Sequence, residues 1–196
     1  MEYLDSNFYT SLIGYNSPDF SGEAYIGNNI KKINSYDYRG SWLVLFFYPG
    51  DFTFVCPTEL GDLADNYEAI KNLGAEILAI STDSVYVHKA WFDSSPMIKK
   101  IKYPLLSDRS GAISRSYGVY LEEEGTALRG TFIVDPEGII RSMEVSDTSV
   151  GRSSAELIRK LEASIFTRKN SDQVCPANWS SQEKAIKPGL DLVGKI

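Results

Sequence analysis

Two cysteines are the residues of this sequence best suited to chemistry beyond simple proton exchange: Cys56, in Phe54-Val55-Cys56-Pro57, and Cys175, in Val174-Cys175-Pro176. Cys56 stands between an apolar run and a stretch with helical spacing, and Pro57 directly after it suits a first helical turn. That position sets the sulfur near unpaired backbone N–H groups and the positive end of a helix dipole, both of which favour a thiolate nucleophile. Magnitude shows that position alone is not enough. Bringing an ordinary thiol from pKa ~8.5 to ~6 takes about 3.4 kcal/mol, whereas a helix terminus supplies at best ~2 kcal/mol. A cation must help. The sequence offers Arg129, at the edge of the run Gly130–Val134, and Arg152, just before the last helical stretch. The plainer alternatives are a cysteine that is merely a small buried hydrophobe and two arginines that lie on the surface.

Other reactive residue types carry less. His88 is the single histidine, so a Cys–His hydrolase would have to use it as base, and its place on a helix beyond the second strand argues against that role. One histidine and two distant cysteines cannot build the closely spaced ligand pairs of a structural zinc site, so no metal is expected. Glu122-Glu123-Glu124, beside Gly125, reads as a solvated loop. Asn178-Trp179-Ser180 fits the N-glycosylation pattern but has no secretion signal to go with it. Neither a phosphate-cradling glycine loop nor a Cys-x-x-Cys pair occurs in the sequence.

The elements that must position Cys56 follow from hydrophobic period. Trp42 to Tyr48 is continuously apolar and closed by Pro49-Gly50, the pattern of a central strand covered on both faces. Leu60, Leu63, Ala64, Tyr67 and Ile70 recur at helical spacing up to Gly74, which predicts one helix. Glu76–Ser81 reads as a second buried strand, completing a β-α-β unit with parallel strands. Beyond it the spacing predicts a helix over Ser84–Phe92, a short strand at Tyr103–Leu106 and a short helix at Ile113–Tyr117. Gly130–Val134 and Ile139–Val145, joined by Asp135-Pro136-Glu137-Gly138, read as an antiparallel hairpin. A last helix starts at Ser153 or Ser154 and runs to about Phe166. Residues 1–40 read as short strands and loops around the domain, and 167–196 as an extended arm carrying Cys175. This gives one α/β domain over 1–166 and an arm over 167–196.

Bulk properties narrow the class of function. The chain has 196 residues, enough for one substantial core, and a net charge of -6 that disfavours a nucleic-acid partner. The start, Met1-Glu2-Tyr3-Leu4-Asp5, carries no basic or apolar leader, and no run approaches the ~20 apolar residues of a membrane span. A cytoplasmic protein without a membrane contact is expected, and in that compartment a Cys56–Cys175 bond would be catalytic rather than structural.

At this point the residues show a resemblance. Pro49-Gly50-Asp51-Phe52-Thr53-Phe54-Val55-Cys56-Pro57 resembles the Pro-x-x-x-Thr-x-x-Cys active-site loop of peroxiredoxins. Leu128-Arg129-Gly130-Thr131-Phe132-Ile133-Val134-Asp135, Val150-Gly151-Arg152 and Val174-Cys175-Pro176-Ala177 agree with the same family in order and spacing. The likeness spans nearly the whole chain, and the ending Asp191 to Ile196 looks most like the alkyl hydroperoxide reductase C branch of the typical two-cysteine members.

That resemblance implies a thioredoxin-like fold, with a central mixed β-sheet flanked by helices, and a thiol-dependent peroxidase acting on hydrogen peroxide and alkyl hydroperoxides. It makes Cys56 the attacking cysteine and Cys175 the resolving one, lets Thr53 and Arg129 bind and polarise the peroxide, and has Pro49 shield the pocket. Arg152 and Glu59 become supporting charges. It implies no cofactor. The sulfenic acid on Cys56 would condense with Cys175 of a second copy in an antiparallel homodimer, after the first turn of the Cys56 helix unwinds. Either a flavoprotein reductase or thioredoxin would then reduce the disulfide. Rings of five dimers, with the helix around Val85-Tyr86-Val87 near the contact, are a further implication. The oxidation-sensitive members carry Gly-Gly-Leu-Gly where this chain has Ser94-Ser95-Pro96-Met97-Ile98, and a C-terminal Tyr-Phe pair that it lacks, so resistance to overoxidation is expected. A holdase chaperone or a peroxide sensor built on the same cysteine is the alternative.

Overall fold

A computed structural model describes residues 11–195. The expectations resting on Met1–Asp5 and on Ile196 lie outside the described residues. Among the described residues a seven-stranded sheet runs in the order β2 (Asn29–Asn34), β1 (Ser21–Ile26), β5 (Leu105–Ser107), β4 (Ala75–Ser81), β3 (Trp42–Phe47), β8 (Arg129–Val134) and β9 (Ile140–Ser146). One of its inner strands is β3, every residue of which is buried. It pairs in parallel with β4 (Ala75–Ser81) and antiparallel with β8 (Arg129–Val134), and β4 pairs in parallel with β5 (Leu105–Ser107). The sheet is therefore mixed, as expected of the thioredoxin-like fold.

Alternation along β3 explains why the whole run is apolar. Val44, Phe46 and Tyr48 face a core with Leu60, Leu63, Leu157 and Leu161, while Leu43, Leu45 and Phe47 face one with Ile113, Tyr117 and Phe132. A strand covered on both sides has no solvent face on which a polar residue could sit. The N-terminal segment adds β1 (Ser21–Ile26) and β2 (Asn29–Asn34) to the edge beyond β5.

The stretch expected as one helix is two, α1 (Cys56–Asp65) and α2 (Tyr67–Asn72). The break falls at Asn66, which sits at φ -100, ψ 7. Its side-chain amide donates to the Asp62 carbonyl (2.9 Å) and to Ser154 Oγ (2.9 Å). Asparagine thus competes for a carbonyl of its own helix and takes a distant partner besides, an option that periodicity does not register. Gly74, at φ +79, supplies the expected stop.

The helix α3 (Val85–Ser94) begins at Ser84, whose hydroxyl accepts the Val87 N–H, and α4 (Ala112–Ser116) covers the second face. The short β6 (Tyr120–Leu121) and β7 (Thr126–Ala127) form a separate hairpin, and β8 turns into β9 (Ile140–Ser146) through Asp135, whose Oδ1 accepts from Glu137 and Ile139 N–H. The last helix, α5 (Ser154–Lys169), runs a turn further than expected. The arm then doubles back on it. Val174 and Ile186 bridge, and Trp179 is buried with its ring 4.8 Å from that of Phe166.

Asp62 ties α1 to α5 from outside, since its Oδ2 accepts both the Ser154 N–H (2.8 Å) and the Ser154 hydroxyl (2.6 Å). A carboxylate at the N-terminus of another helix satisfies an orphan donor and meets the positive end of the dipole. Asp62→Ala should lower unfolding free energy by about 1–3 kcal/mol in urea denaturation. A change below ~0.5 kcal/mol would show that water replaces the carboxylate there.

Candidate active site

Cys56 is the first residue of α1, with Pro57 next and Val55 as an N-cap that has no side-chain capping bond. The Thr58 and Glu59 N–H groups both turn back to the Val55 carbonyl, at 3.0 and 3.2 Å, and proline has no N–H. Fewer backbone donors therefore remain for the sulfur than the helix start promises. A guanidinium stands beside the sulfur instead. Arg129 Nη1 lies 3.3 Å from Cys56 Sγ, and the cysteine side chain is fully buried.

Arg129 is held at every nitrogen. Nε and Nη2 both donate to the Thr148 carbonyl, at 2.9 and 2.6 Å, and Nη1 also donates to Glu59 Oε2 at 2.6 Å. Glu59 in turn spans the two arginines, accepting from Arg152 Nε and the Arg152 backbone N–H on Oε1, both at 2.9 Å. Arg152 Nη1 donates to the Gly130 carbonyl (2.8 Å) and Thr131 Oγ1 (3.0 Å), and its guanidinium lies 3.5 Å from the Phe46 ring centroid. Burial pulls the Arg152 pKa below its ordinary value, and the Glu59 carboxylate opposes that pull. Two guanidinium charges against one carboxylate leave one positive charge uncompensated beside the sulfur, in a site shielded from water. Gly151 lets this segment close on α1, because a Cβ there would stand 3.2 Å from Val55 Cγ1.

The loop before Cys56 is anchored from beneath. Asp51 Oδ1 accepts from Tyr48 Oη and its Oδ2 pairs with His88 Nδ1, each at 2.8 Å, while the Asp51 N–H donates to Asp83 Oδ2 at 2.8 Å. Burial pushes the Asp51 carboxyl pKa up, and the bond to His88 draws it back. Phe52 follows at φ +55, an unusual backbone for a residue with a side chain, and packs on Trp91. The Thr53 hydroxyl donates to the Gly50 carbonyl at 2.8 Å, closing the turn. Pro49, Thr53 and Arg129 line one open groove of about 500 Å³ over this loop.

Of the residues expected from sequence, Cys56, Arg129, Glu59 and Arg152 converge in one buried cluster, with Pro49 and Thr53 at the groove beside it. Cys175 is elsewhere. It lies against α5, its sulfur 4.0 Å from the Ala163 carbonyl, and both cysteines are free thiols. Burial raises the Cys175 thiol pKa, with Arg159 opposing. The Thr148 carbonyl, the Tyr48–Asp51–His88 chain and Asp83 escape the sequence reading. A lone histidine after a strand was their only available signal.

The protein-family comparison matches residues 13–143 to the AhpC/TSA family. The chain belongs to the AhpC/TSA family. Other AhpC/TSA relatives bear this out along the length of the chain. It is 46% identical over 186 residues to alkyl hydroperoxide reductase C of Escherichia coli K12, covering 95% of this chain and 100% of that protein. The alkyl hydroperoxide reductase C of Bacillus subtilis is 45% identical over the same shares. Among solved structures, Enterococcus faecalis AhpC superposes with a TM-score of 0.83 at 47% identity, covering 85% of this chain and 100% of that one. The reduced 2-Cys peroxiredoxin of Plasmodium vivax gives 0.89 at 34% identity, covering 93% and 96%. These likenesses show the AhpC/TSA chain to have the thioredoxin-like fold of peroxiredoxins.

Proposed function

We propose that this chain is a thiol-dependent peroxidase in which Cys56 attacks hydrogen peroxide and alkyl hydroperoxides. The observation that carries the reading is the Arg129 N–H at 3.3 Å from the Cys56 sulfur, in a cluster with one surplus positive charge. The Cys56 thiolate displaces on one peroxide oxygen, forming an S–O bond as the O–O bond breaks. The departing oxygen takes the electron pair, then a proton, and leaves as water or alcohol. Arg129 meets that charge as a preorganised donor, and the Thr53 hydroxyl joins it by turning from the Gly50 carbonyl. Pro49 covers the loop and keeps water from the sulfur. Glu59 and Arg152 hold Arg129 in place.

The Cys56 sulfenic acid then condenses with the Cys175 thiol of a second copy, releasing water and leaving a disulfide. Because Cys56 is fully buried and Cys175 lies on the arm against α5, the first turn of α1 and the arm must both release for the sulfurs to meet. A dithiol reductant, a flavoprotein reductase or thioredoxin, closes the cycle. Among the described residues the outer edge of β9 is unpaired, with Val145 exposed, which suits pairing with a second copy, and the exposed Tyr86 suits contacts between dimers in a ring of five. Among the described residues no helix is long and apolar enough to cross a membrane, and the reading places the enzyme in the cytoplasm.

The test is peroxide consumption by the purified protein with a thiol reductant, followed by non-reducing electrophoresis of wild type, Cys56→Ser and Cys175→Ser after peroxide. Sustained turnover and a dimer band in wild type alone are expected. Stoichiometric oxidation without turnover would instead favour a sensor. Under reductant cycling at low peroxide, mass spectrometry should find Cys56 as thiol or disulfide. A sulfinic fraction that grows with each cycle would contradict the fast resolution that the Ser94–Ile98 segment implies.

A further inference from the structure

The groove over the Cys56 loop has an electrical character that the peroxidase chemistry does not require. Its apolar wall is made by Pro49, Val55 and Phe54, the last 93% exposed. Its polar wall carries carboxylates. Glu124 lines it from the turn of the β6–β7 hairpin, and Asp83 lines it from the end of β4. The acidic run Glu122–Glu124, which reads from sequence as a solvated loop, is therefore divided in role. Glu122 is neutralised by Arg115, whose Nε and Nη2 donate at 2.6 and 2.9 Å. Among the described residues Glu124 has no cationic partner, and its Oε2 meets only the Thr126 hydroxyl at 3.5 Å.

The groove cannot compensate that charge from within. Among its described lining residues Arg129 is the one cation, and the single surplus positive charge of the Arg129–Arg152–Glu59 cluster is matched by the Cys56 thiolate that the reaction requires, which leaves none for Glu124. Asp83 is fixed by the Asp51 N–H and the Ser81 hydroxyl, so it cannot swing away. A negative group bound in this groove would share it with both carboxylates, and at low salt their repulsion is only partly screened. An uncharged hydroperoxide meets no such penalty, and its organic tail finds the apolar wall.

We propose that this groove selects uncharged organic hydroperoxides over anionic ones, and that Glu124 is the residue that sets the discrimination. The inference rests on the peroxidase reading and adds to it the charge class of the substrate. The energy is that of like charges across an open, partly solvated groove, so a several-fold effect on kcat/KM is expected rather than exclusion.

The experiment compares cumene hydroperoxide bearing a para carboxylate with the methyl ester of the same compound, which share a reacting group and differ in charge. Wild-type protein at low salt should favour the ester in kcat/KM by about 3- to 10-fold, and the preference should shrink as ionic strength rises. Glu124→Gln should reduce it and Glu124→Lys should bring it below about 2-fold, the ester serving as the internal reference. Equal handling of acid and ester by wild type at low salt would overturn the proposal, as would a preference that Glu124→Lys leaves intact. If wild type consumed neither compound nor hydrogen peroxide, the peroxidase reading would fail first and this one with it.

Discussion

Cys56→Ser is expected to abolish peroxide turnover, lowering kcat/KM by about 10⁴-fold or more, the scale on which loss of a covalent nucleophile is felt. The reason is specific to sulfur. A serine hydroxyl in the same place has the Arg129 N–H beside it but is neither ionised near neutral pH nor soft enough to displace on a peroxide oxygen. The fold should tolerate the change, since the two side chains are close in size and the site is already polar on one side. The measurement is a coupled peroxide assay, with thermal unfolding of the same preparation as control. Activity within tenfold of wild type in a well-folded Cys56→Ser protein would sink the mechanism. Cys175→Ser should behave differently: the first oxidation proceeds at the wild-type rate, and turnover stalls at the sulfenic acid.

The second large effect concerns Arg129. Arg129→Met should lower kcat/KM for hydrogen peroxide by about 10²- to 10³-fold, the range for removing one preorganised donor from a developing anion. Arg129→Lys keeps the charge but not the fork that grips the Thr148 carbonyl through two nitrogens, so it should recover only part of the loss. A stability cost accompanies both. In wild type Glu59 is shared by two buried arginines, and removing one partner of such an ion pair costs about 3–5 kcal/mol before relaxation. Because Arg152 keeps its three contacts to Glu59, the observed loss should fall at the low end. The discriminating readout is therefore pre-steady-state oxidation of Cys56 in protein shown by circular dichroism to be folded. An oxidation rate that Arg129→Met leaves unchanged would mean that the guanidinium serves the fold and not the chemistry.

The sequence and the structure divide the work along a line set by distance. Residues close in the chain speak for themselves. The unbroken apolar run of β3, the Pro49–Pro57 loop, the proline after Cys56 and the Asp135–Gly138 turn are each decided by a few neighbouring side chains, and each stands where the sequence puts it. Hydrophobic period and turn chemistry are short-range effects, so a sequence displays them directly.

What the tertiary structure alone decides is which distant groups meet. From sequence, Arg129 and Arg152 are equal candidates for the sulfur. In the fold Arg129, 73 residues from Cys56, reaches it, while Arg152 grips Glu59 across 93 residues. The choice follows from where β8 ends and how the loop before α5 turns, which no local pattern records. The break at Asn66 has the same origin, since Ser154, 88 residues away, competes for its amide. Glu124 is the clearest case. Chain neighbours make it a solvated acid, and only the pairing of β6 with β7 brings it to the rim of the groove. Side-chain charge is written in the sequence, but the field it makes depends on separation in space, and that is set by packing.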